Sequence, residues 1–215
     1  MLTLHHCFNA RSFRPLWALE ELGLDYELKM LPFPPRVRAR DYLTTNPLGT
    51  IPAFFDDDAR MTESAAICQY LADRHGLGTL GVAPEEPAYG AYLNWLHFGE
   101  ATLTFPQTLV LRYRRFEPEE RRLPQVADDY ARWFHARVRA IKPALEQEFI
   151  CAGRFTAADI SMAYAFLLAG QVGVYDDLIP EAKAYWERMK TRPSFQAAQT
   201  TQAEAALAQG VSASW

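Results

Sequence analysis

Cysteine, basic clusters and long apolar runs are what this 215-residue chain has least of. Its 3 cysteines, Cys7, Cys68 and Cys151, are odd in number and far apart, which excludes a dense disulfide framework and fits reduced thiols in a cytoplasm. Lys and Arg number 22 against 26 Asp and Glu, a net charge of -4 with no basic block, so nucleic acid is a poor main partner. The longest apolar stretch, around Ile160 to Ala169, is too short to span a bilayer. Met1-Leu2-Thr3-Leu4 has neither the basic start nor the apolar run of a signal peptide, so no membrane partner is expected. What remains is an ordinary globular composition, 49% hydrophobic and 22% charged. The length exceeds the usual single domain of roughly 100–200 residues.

The most informative stretch runs from Asn46 to Tyr70. Pro47 and Gly49 punctuate a turn. Pro52 stands where a strand should begin, a position that tolerates a missing N–H. Ala53-Phe54-Phe55 reads as a short strand, Asp56-Asp57-Asp58 as the tip of a hairpin, and Met61 as the return. A helix opens at Glu63-Ser64 with Ala66, Ile67, Tyr70 and Leu71 on its apolar face. The start of a helix presents N–H groups and partial positive charge, which suit a carboxylate.

Before that stretch, Leu2 to His6 reads as a strand, and Ser12 to Leu22 as a helix with Ser12 at the N-cap, Pro15 in the first turn and Gly23 as the stop. Tyr26 to Leu31 is a second strand, halted by Pro32-Phe33-Pro34-Pro35, and Arg36 to Leu43 a short helix. Strand, helix, strand, helix, hairpin, helix is a thioredoxin-like α/β order over residues 1–77. Residues 78–87, with Gly81, Pro84 and Pro87, read as a linker. Residues 88–215 show only helical periodicity: Tyr89–Arg115 with a kink at Pro106, Pro124–Glu148 with a kink at Pro143, Thr156–Gln171, Ile179–Lys190 and Ser194–Gln209. Thr156 and Asp159 have capping-box spacing, with Phe155 and Ile160 at the staple positions. That element serves folding.

Pro-Leu-Gly-Thr-Ile-Pro, strand, hairpin and Glu-Ser-Ala-Ala-Ile together resemble the glutathione-binding half of cytosolic glutathione transferases. The resemblance extends over nearly the whole chain and implies the fold of that family, a thioredoxin-like domain followed by an all-α bundle. It implies a cis bond before Pro52, with the backbone of Ile51 pairing with the cysteinyl part of glutathione, and Glu63 and Ser64 holding the γ-glutamyl end. It further implies glutathione as cosubstrate with no metal, attack of its thiolate on a small electrophile or peroxide in a cleft between the domains, a detoxification role and a cytoplasmic homodimer. The capping box resembles the one the family places at the start of the buried central helix of its second domain.

In the family a Tyr, Ser or Cys in the loop after the first strand stands beside the glutathione sulfur. That loop here is Cys7-Phe8-Asn9-Ala10-Arg11-Ser12. A thiol near pKa 8.5 is only a few per cent ionised at neutral pH, and each unit of lowering takes about 1.4 kcal/mol of thiolate stabilisation. Many bacterial relatives resemble Asn-Ser-Arg-Ser where this chain has Asn9-Ala10-Arg11-Ser12, so a hydroxyl is absent at Ala10. Ser12, the Asn9 amide and the N–H groups of Ala10 and Arg11 stay open as donors, and Arg11 as a nearby cation. Cys7 is either a small core residue or the site of a mixed disulfide, which keeps a thiol–disulfide enzyme open as an alternative to a transferase. A non-catalytic binding protein that has lost its hydroxyl is the other. His5 and His6 point to opposite faces of their strand and cannot share an ion. Cys68 belongs to a core face. His97, Glu100 and Tyr113 are candidates to line an acceptor pocket, although the surplus of Trp95, Phe98, Phe105 and Tyr113 is more often core.

Overall fold

The computed structural model describes residues 1–213. Near its start, Leu2–His6 forms β1, and alternation puts Leu4 fully inside. Helix α1 (Phe13–Leu22) follows, burying Phe13, Leu16, Trp17 and Leu19. It ends at Gly23, whose left-handed φ of 61° lets its N–H reach back to the carbonyls of Glu20 and Leu19. Next come β2 (Tyr26–Met30), a one-turn α2 (Pro35–Arg38) and a 3₁₀ turn (Arg40–Thr44) in place of the longer helix expected from Arg36. The hairpin β3 (Ala53–Asp56) and β4 (Ala59–Met61) leads to α3 (Ser64–His75). Strand order is β2-β1-β3-β4, with β1 parallel to β2 and antiparallel to β3. The parallel pair needs a crossover, and α1 supplies it. This is the thioredoxin-like order read from the sequence.

The chain forms two units, Met1–Gly81 with the segment from Lys190 onward, and Val82–Met189. The expected boundary, which gave all of 88–215 to the helical domain, therefore needs correcting. Helix α10 (Pro193–Ala208) belongs with the first unit. The reason is local: Phe195 packs edge-on against Phe13 and Trp17, with ring centroids 5.4 and 5.0 Å apart. Polar contacts flank this packing, from the Trp17 indole N–H to Ser194 Oγ at 3.0 Å and from the Thr201 hydroxyl to Glu20 at 2.9 Å.

The second unit is all-helical. The long first helix is a run of α4 (Tyr89–His97), a π-type segment (Phe98–Thr104), α5 (Phe105–Leu111) and a second π-type segment (Arg112–Phe116). Pro106 has no N–H to give to the preceding turn, which accounts for the wide segment before it, and the Thr104 hydroxyl takes the Gly99 carbonyl at 2.8 Å. Gly99 lies against Ser161: a Cβ built there would sit 2.5 Å from the serine oxygen and 2.6 Å from its backbone. Then come α6 (Pro124–Ala140), α7 (Lys142–Leu145), α8 (Ala157–Val172) and α9 (Pro180–Lys190). Helix α8 is nearly all buried and starts with the expected box, its Thr156 N–H bonded to Asp159 Oδ2 at 2.9 Å. Among the described residues no helix is long and apolar enough to cross a membrane.

Candidate functional site

The loop between β1 and α1 folds through a ladder of tight turns. Ala10 N–H reaches Cys7 O (3.0 Å), Phe13 N–H reaches Ala10 O (2.8 Å) and Arg14 N–H reaches Arg11 O (3.2 Å). Asn9 adopts φ 52°, a left-handed conformation that asparagine accepts more readily than most side chains. Its N–H donates to Gln202 Oε1 on α10 at 2.9 Å, and its Oδ1 accepts from Gln202 Nε2 at 2.7 Å and Gln199 Nε2 at 3.3 Å.

Ser12 lies where neither role read from the sequence puts it. It is fully buried, makes no side-chain cap bond, and its Oγ is 2.7 Å from His6 Nδ1 and accepts the Cys7 N–H at 3.3 Å. Hydrogen-bond accounting assigns the protons. The Asn9 N–H can only donate, so the Gln202 atom that it meets is the carbonyl oxygen. The same oxygen lies 3.0 Å from His6 Nε2, which must then carry its proton. Burial lowers the His6 pKa to about 4, so the ring is neutral near pH 7 and Nδ1 is a bare acceptor. Ser12 therefore spends its one proton on His6. The expectation that its hydroxyl donates to a sulfur is corrected, and Asn9 is left as the side-chain donor of the expected pair.

Ala10 is 4% exposed and clusters with Cys7, Tyr42, Ile51 and Ala53, so its methyl is part of the core beneath the loop. Cys7 is itself fully buried, and desolvation pushes its thiol up to about 12. Cys68 is buried too, and its thiol is likewise raised to about 12 by desolvation. Arg11 lies in the turn, half-buried.

The cluster that holds Ala10 also holds Ile51, which brings the second element beside the loop. The Ile51–Pro52 bond is cis. Asn46 builds the approach to it, with Nδ2 donating to the Thr50 carbonyl at 2.9 Å and Oδ1 accepting the Leu48 N–H at 3.1 Å. The Tyr42 hydroxyl donates to the same Thr50 carbonyl at 2.8 Å. Gly49 turns at φ 60°, and a Cβ there would meet Arg36 Cβ at 2.6 Å. Among the described residues the N–H and C=O of Ile51 have no partner.

The third element is the start of α3. Glu63 stands at the N-cap position with an exposed carboxylate, and Ser64 is the first helical residue, 3% exposed. Ser64 Oγ accepts a bond from Arg14 Nη1 at 3.1 Å, which ties the start of α1 to the start of α3. The sequence reading passed over Arg14, Gln199 and Gln202. A charged residue among the apolar positions of α1 was the available signal for Arg14; a glutamine on a mixed helix face carried none.

The structure thus places Asn9, Ile51, Pro52 and Ser64 in one unit, with Ala10 of the loop packed against Ile51 and Ser64 tied to Arg14 of α1. His97, Glu100 and Tyr113 belong to the other unit. Trp95 and Phe98 pack edge-on at 5.2 Å and are half-buried, Phe105 is 49% exposed, and the core of that run is Tyr92, Leu96 and Leu103. Among the described residues no cluster of three His, Cys, Asp or Glu side chains could hold a metal. His6 faces the core, whereas His5 packs between Tyr42 and Phe55.

Comparison with known proteins agrees with this geometry. The family model described as glutathione S-transferase, N-terminal domain, matches residues 1–73. Glutathione S-transferase 3 of Schizosaccharomyces pombe is 38% identical over 106 residues, 48% of this chain and 43% of that protein. A probable glutathione S-transferase, GSTF1, of Oryza sativa subsp. japonica is 28% identical over 191 residues, 84% of this chain and 87% of that one. Among solved structures, glutathione transferase URE2P6 from Phanerochaete chrysosporium, in complex with oxidized glutathione, superposes with a TM-score of 0.82 at 26% identity, covering 95% of this chain and 97% of that one. Residues 1–73 thus match the N-terminal domain of glutathione S-transferases, and the chain shares its fold with solved glutathione transferases.

Proposed function

We propose that the first unit binds glutathione and that the protein transfers the glutathione thiolate to a small electrophilic or peroxidic molecule. The observation that carries this reading is that one unit holds a cis-Pro52 turn packed against the Asn9 loop and a Glu63–Ser64 helix start tied to α1 through Arg14. Each suits one part of the tripeptide. At α3, helix N–H groups and the Ser64 hydroxyl receive the γ-glutamyl carboxylate. Arg14 donates to the Ser64 oxygen, so the serine proton is directed to the ligand. The Glu63 carboxylate faces the γ-glutamyl ammonium. The Ile51 N–H and C=O pair with the cysteinyl backbone as an added strand would.

The sulfur then lies at the Asn9 loop, where the side-chain amide, the N–H groups near Arg11 and the Arg11 cation favour the thiolate. In conjugation, a thiolate lone pair forms a bond to an electrophilic carbon and the leaving group departs with its electron pair. With a peroxide, the same lone pair forms an S–O bond as the O–O bond breaks; the alkoxide leaves with its electron pair and takes a proton, and a second glutathione converts the sulfenic acid to glutathione disulfide and water. The inert, buried Cys7 argues against the mixed-disulfide alternative. A two-fold homodimer in the cytoplasm and a detoxification role come with the reading through the family.

Calorimetric titration with glutathione tests it. Wild type binds, and Glu63→Ala and Ser64→Ala each weaken binding by roughly tenfold, as expected for one charge-assisted contact of about 1.5 kcal/mol; Tm changes little for the exposed Glu63 and falls for Ser64, whose loss takes a partner from the buried Arg14. No binding by wild type, or wild-type affinity in both variants, overturns the reading.

A further inference from the structure

We infer that Gln202, on the last helix, is a positioning residue that orients the Asn9 amide toward the glutathione sulfur. The inference rests on the proposed glutathione reading and adds to it a residue 193 positions away in sequence.

The argument is an orientation one. A side-chain amide has an acceptor end and a donor end, and only the donor end, Nδ2, stabilises a thiolate. Which end Asn9 shows to a ligand depends on what holds the other. Gln202 is fully buried and all of its hydrogen-bonding capacity is committed: Oε1 accepts from Asn9 N–H and His6 Nε2, and Nε2 donates to Asn9 Oδ1 and to Gln199 Oε1 at 2.9 Å. Gln202 cannot turn its amide round without setting donor against donor at Asn9 N–H and acceptor against acceptor at Asn9 Oδ1. Its Nε2 is thereby fixed against Asn9 Oδ1, with Gln199 Nε2 as a second donor to the same atom. With Oδ1 held at α10, the planarity of the amide fixes the donor end as well, on the side of Cγ away from Oδ1. His6 adds a second donor to Gln202 Oε1, and the buried Ser12 hydroxyl follows it by donating to Nδ1. The same backbone contact supports Asn9 in its left-handed φ of 52°. A buried, fully satisfied polar network of this kind holds one arrangement and disfavours the flipped one.

The test is a double-mutant cycle on the pKa of bound glutathione, read by ultraviolet thiolate absorbance in saturated enzyme. Asn9→Ala and Gln202→Leu are each expected to leave about tenfold less thiolate at neutral pH. Gln202→Leu in the Asn9→Ala background is expected to add nothing, because Gln202 acts through Asn9. Gln199→Ala, at a half-buried position, removes the weaker donor and is expected to shift the pKa less, in the same direction. It carries the test alone if Gln202→Leu does not fold. A Gln202→Leu protein whose bound glutathione titrates as in wild type, or an additive effect in the double variant, overturns the inference. So does an unshifted pKa in Gln199→Ala when that arm stands alone. Failure of the parent reading looks different: wild type itself then shows no calorimetric binding of glutathione, and both fall together.

Discussion

Replacing Asp159 at the start of α8 should destabilise the protein by an amount that depends on pH. Its carboxylate is fully buried and takes four bonds: Ile150 N–H and the Tyr185 hydroxyl at 2.8 Å each on Oδ1, and Thr156 N–H at 2.9 Å and the Thr156 hydroxyl at 3.3 Å on Oδ2. Asp159→Ala orphans two backbone N–H groups and the Tyr185 hydroxyl, while the Thr156 hydroxyl can turn to Cys151 Sγ at 3.8 Å. At roughly 1–3 kcal/mol for each unsatisfied buried donor, partly relieved by removing a buried charge, the loss is about 3–6 kcal/mol. For a protein of this size that is on the order of 10 °C or more in Tm. Asp159→Asn keeps the two acceptor contacts on Oδ1 but sets an amide donor against Thr156 N–H, so it should cost less.

Desolvation raises the Asp159 pKa from 3.8 to about 6, against those hydrogen bonds. Between these two values the folded state binds the extra proton. The associated stability is full below about 3.8 and is lost as pH rises through about 6. Asparagine has no such titration. The stability gap between wild type and Asp159→Asn should therefore be wider at pH 4.5 than at pH 7.5 by about 2 kcal/mol. His6 titrates identically in both proteins and cancels from the difference. Urea melts at the two pH values measure the gap directly. A gap independent of pH, or an Asp159→Ala Tm within a degree or two of wild type, would refute the assignment of the box as a buried, desolvated cap.

Two further outcomes follow from burial and close approach. Cys7, fully inside with its thiol raised to about 12, has a thiolate fraction of about 10⁻⁵ at pH 7; mass spectrometry after a thiol-reactive disulfide should find it unmodified in native protein and modified in urea, and ready native labelling would contradict its placement. Gly99→Ala should cost about 2 kcal/mol or more, because its Cβ would fall within 2.6 Å of the Ser161 backbone, whereas Gly90→Ala, exposed on α4 with nothing within 4 Å, should be neutral or slightly stabilising in the same calorimetric scan.

The parts of the fold that could be read in advance are those written in local chemistry. Pro52 after a Pro-Gly turn, Glu63-Ser64 before an apolar helix face, Gly23 after a leucine stripe and Thr156 three residues before Asp159 each announce a backbone geometry within a few residues. The readings that needed correction depend on contacts distant in sequence. Ser12 has every attribute of a helix cap or a hydroxyl donor. Its proton goes to His6 because His6 in turn faces Gln202, 196 residues away. Ala10 reads as a missing hydroxyl, yet its methyl packs beside Ile51 and Tyr42. The last helix carries the same periodicity as its neighbours in sequence. Contacts distant in sequence, Phe195 against Phe13 and Trp17 and Gln202 against His6 and Asn9, decide that it belongs to the first unit.

That membership makes the order of synthesis matter. Residues 1–81 leave the ribosome before the second unit and contain β1, the Asn9 loop and the turn at Pro52. The helix that covers Phe13 and Trp17, and the glutamine that anchors Asn9, are made only after the whole of Val82–Met189. The second unit is contiguous and can complete its own fold while the first still lacks a wall. A fragment cut after Gly81 should accordingly expose the aromatic face of α1 and leave the Asn9 loop without its anchor. A circular permutant that joins the two ends and opens within the second unit would instead make the first unit one unbroken stretch of chain.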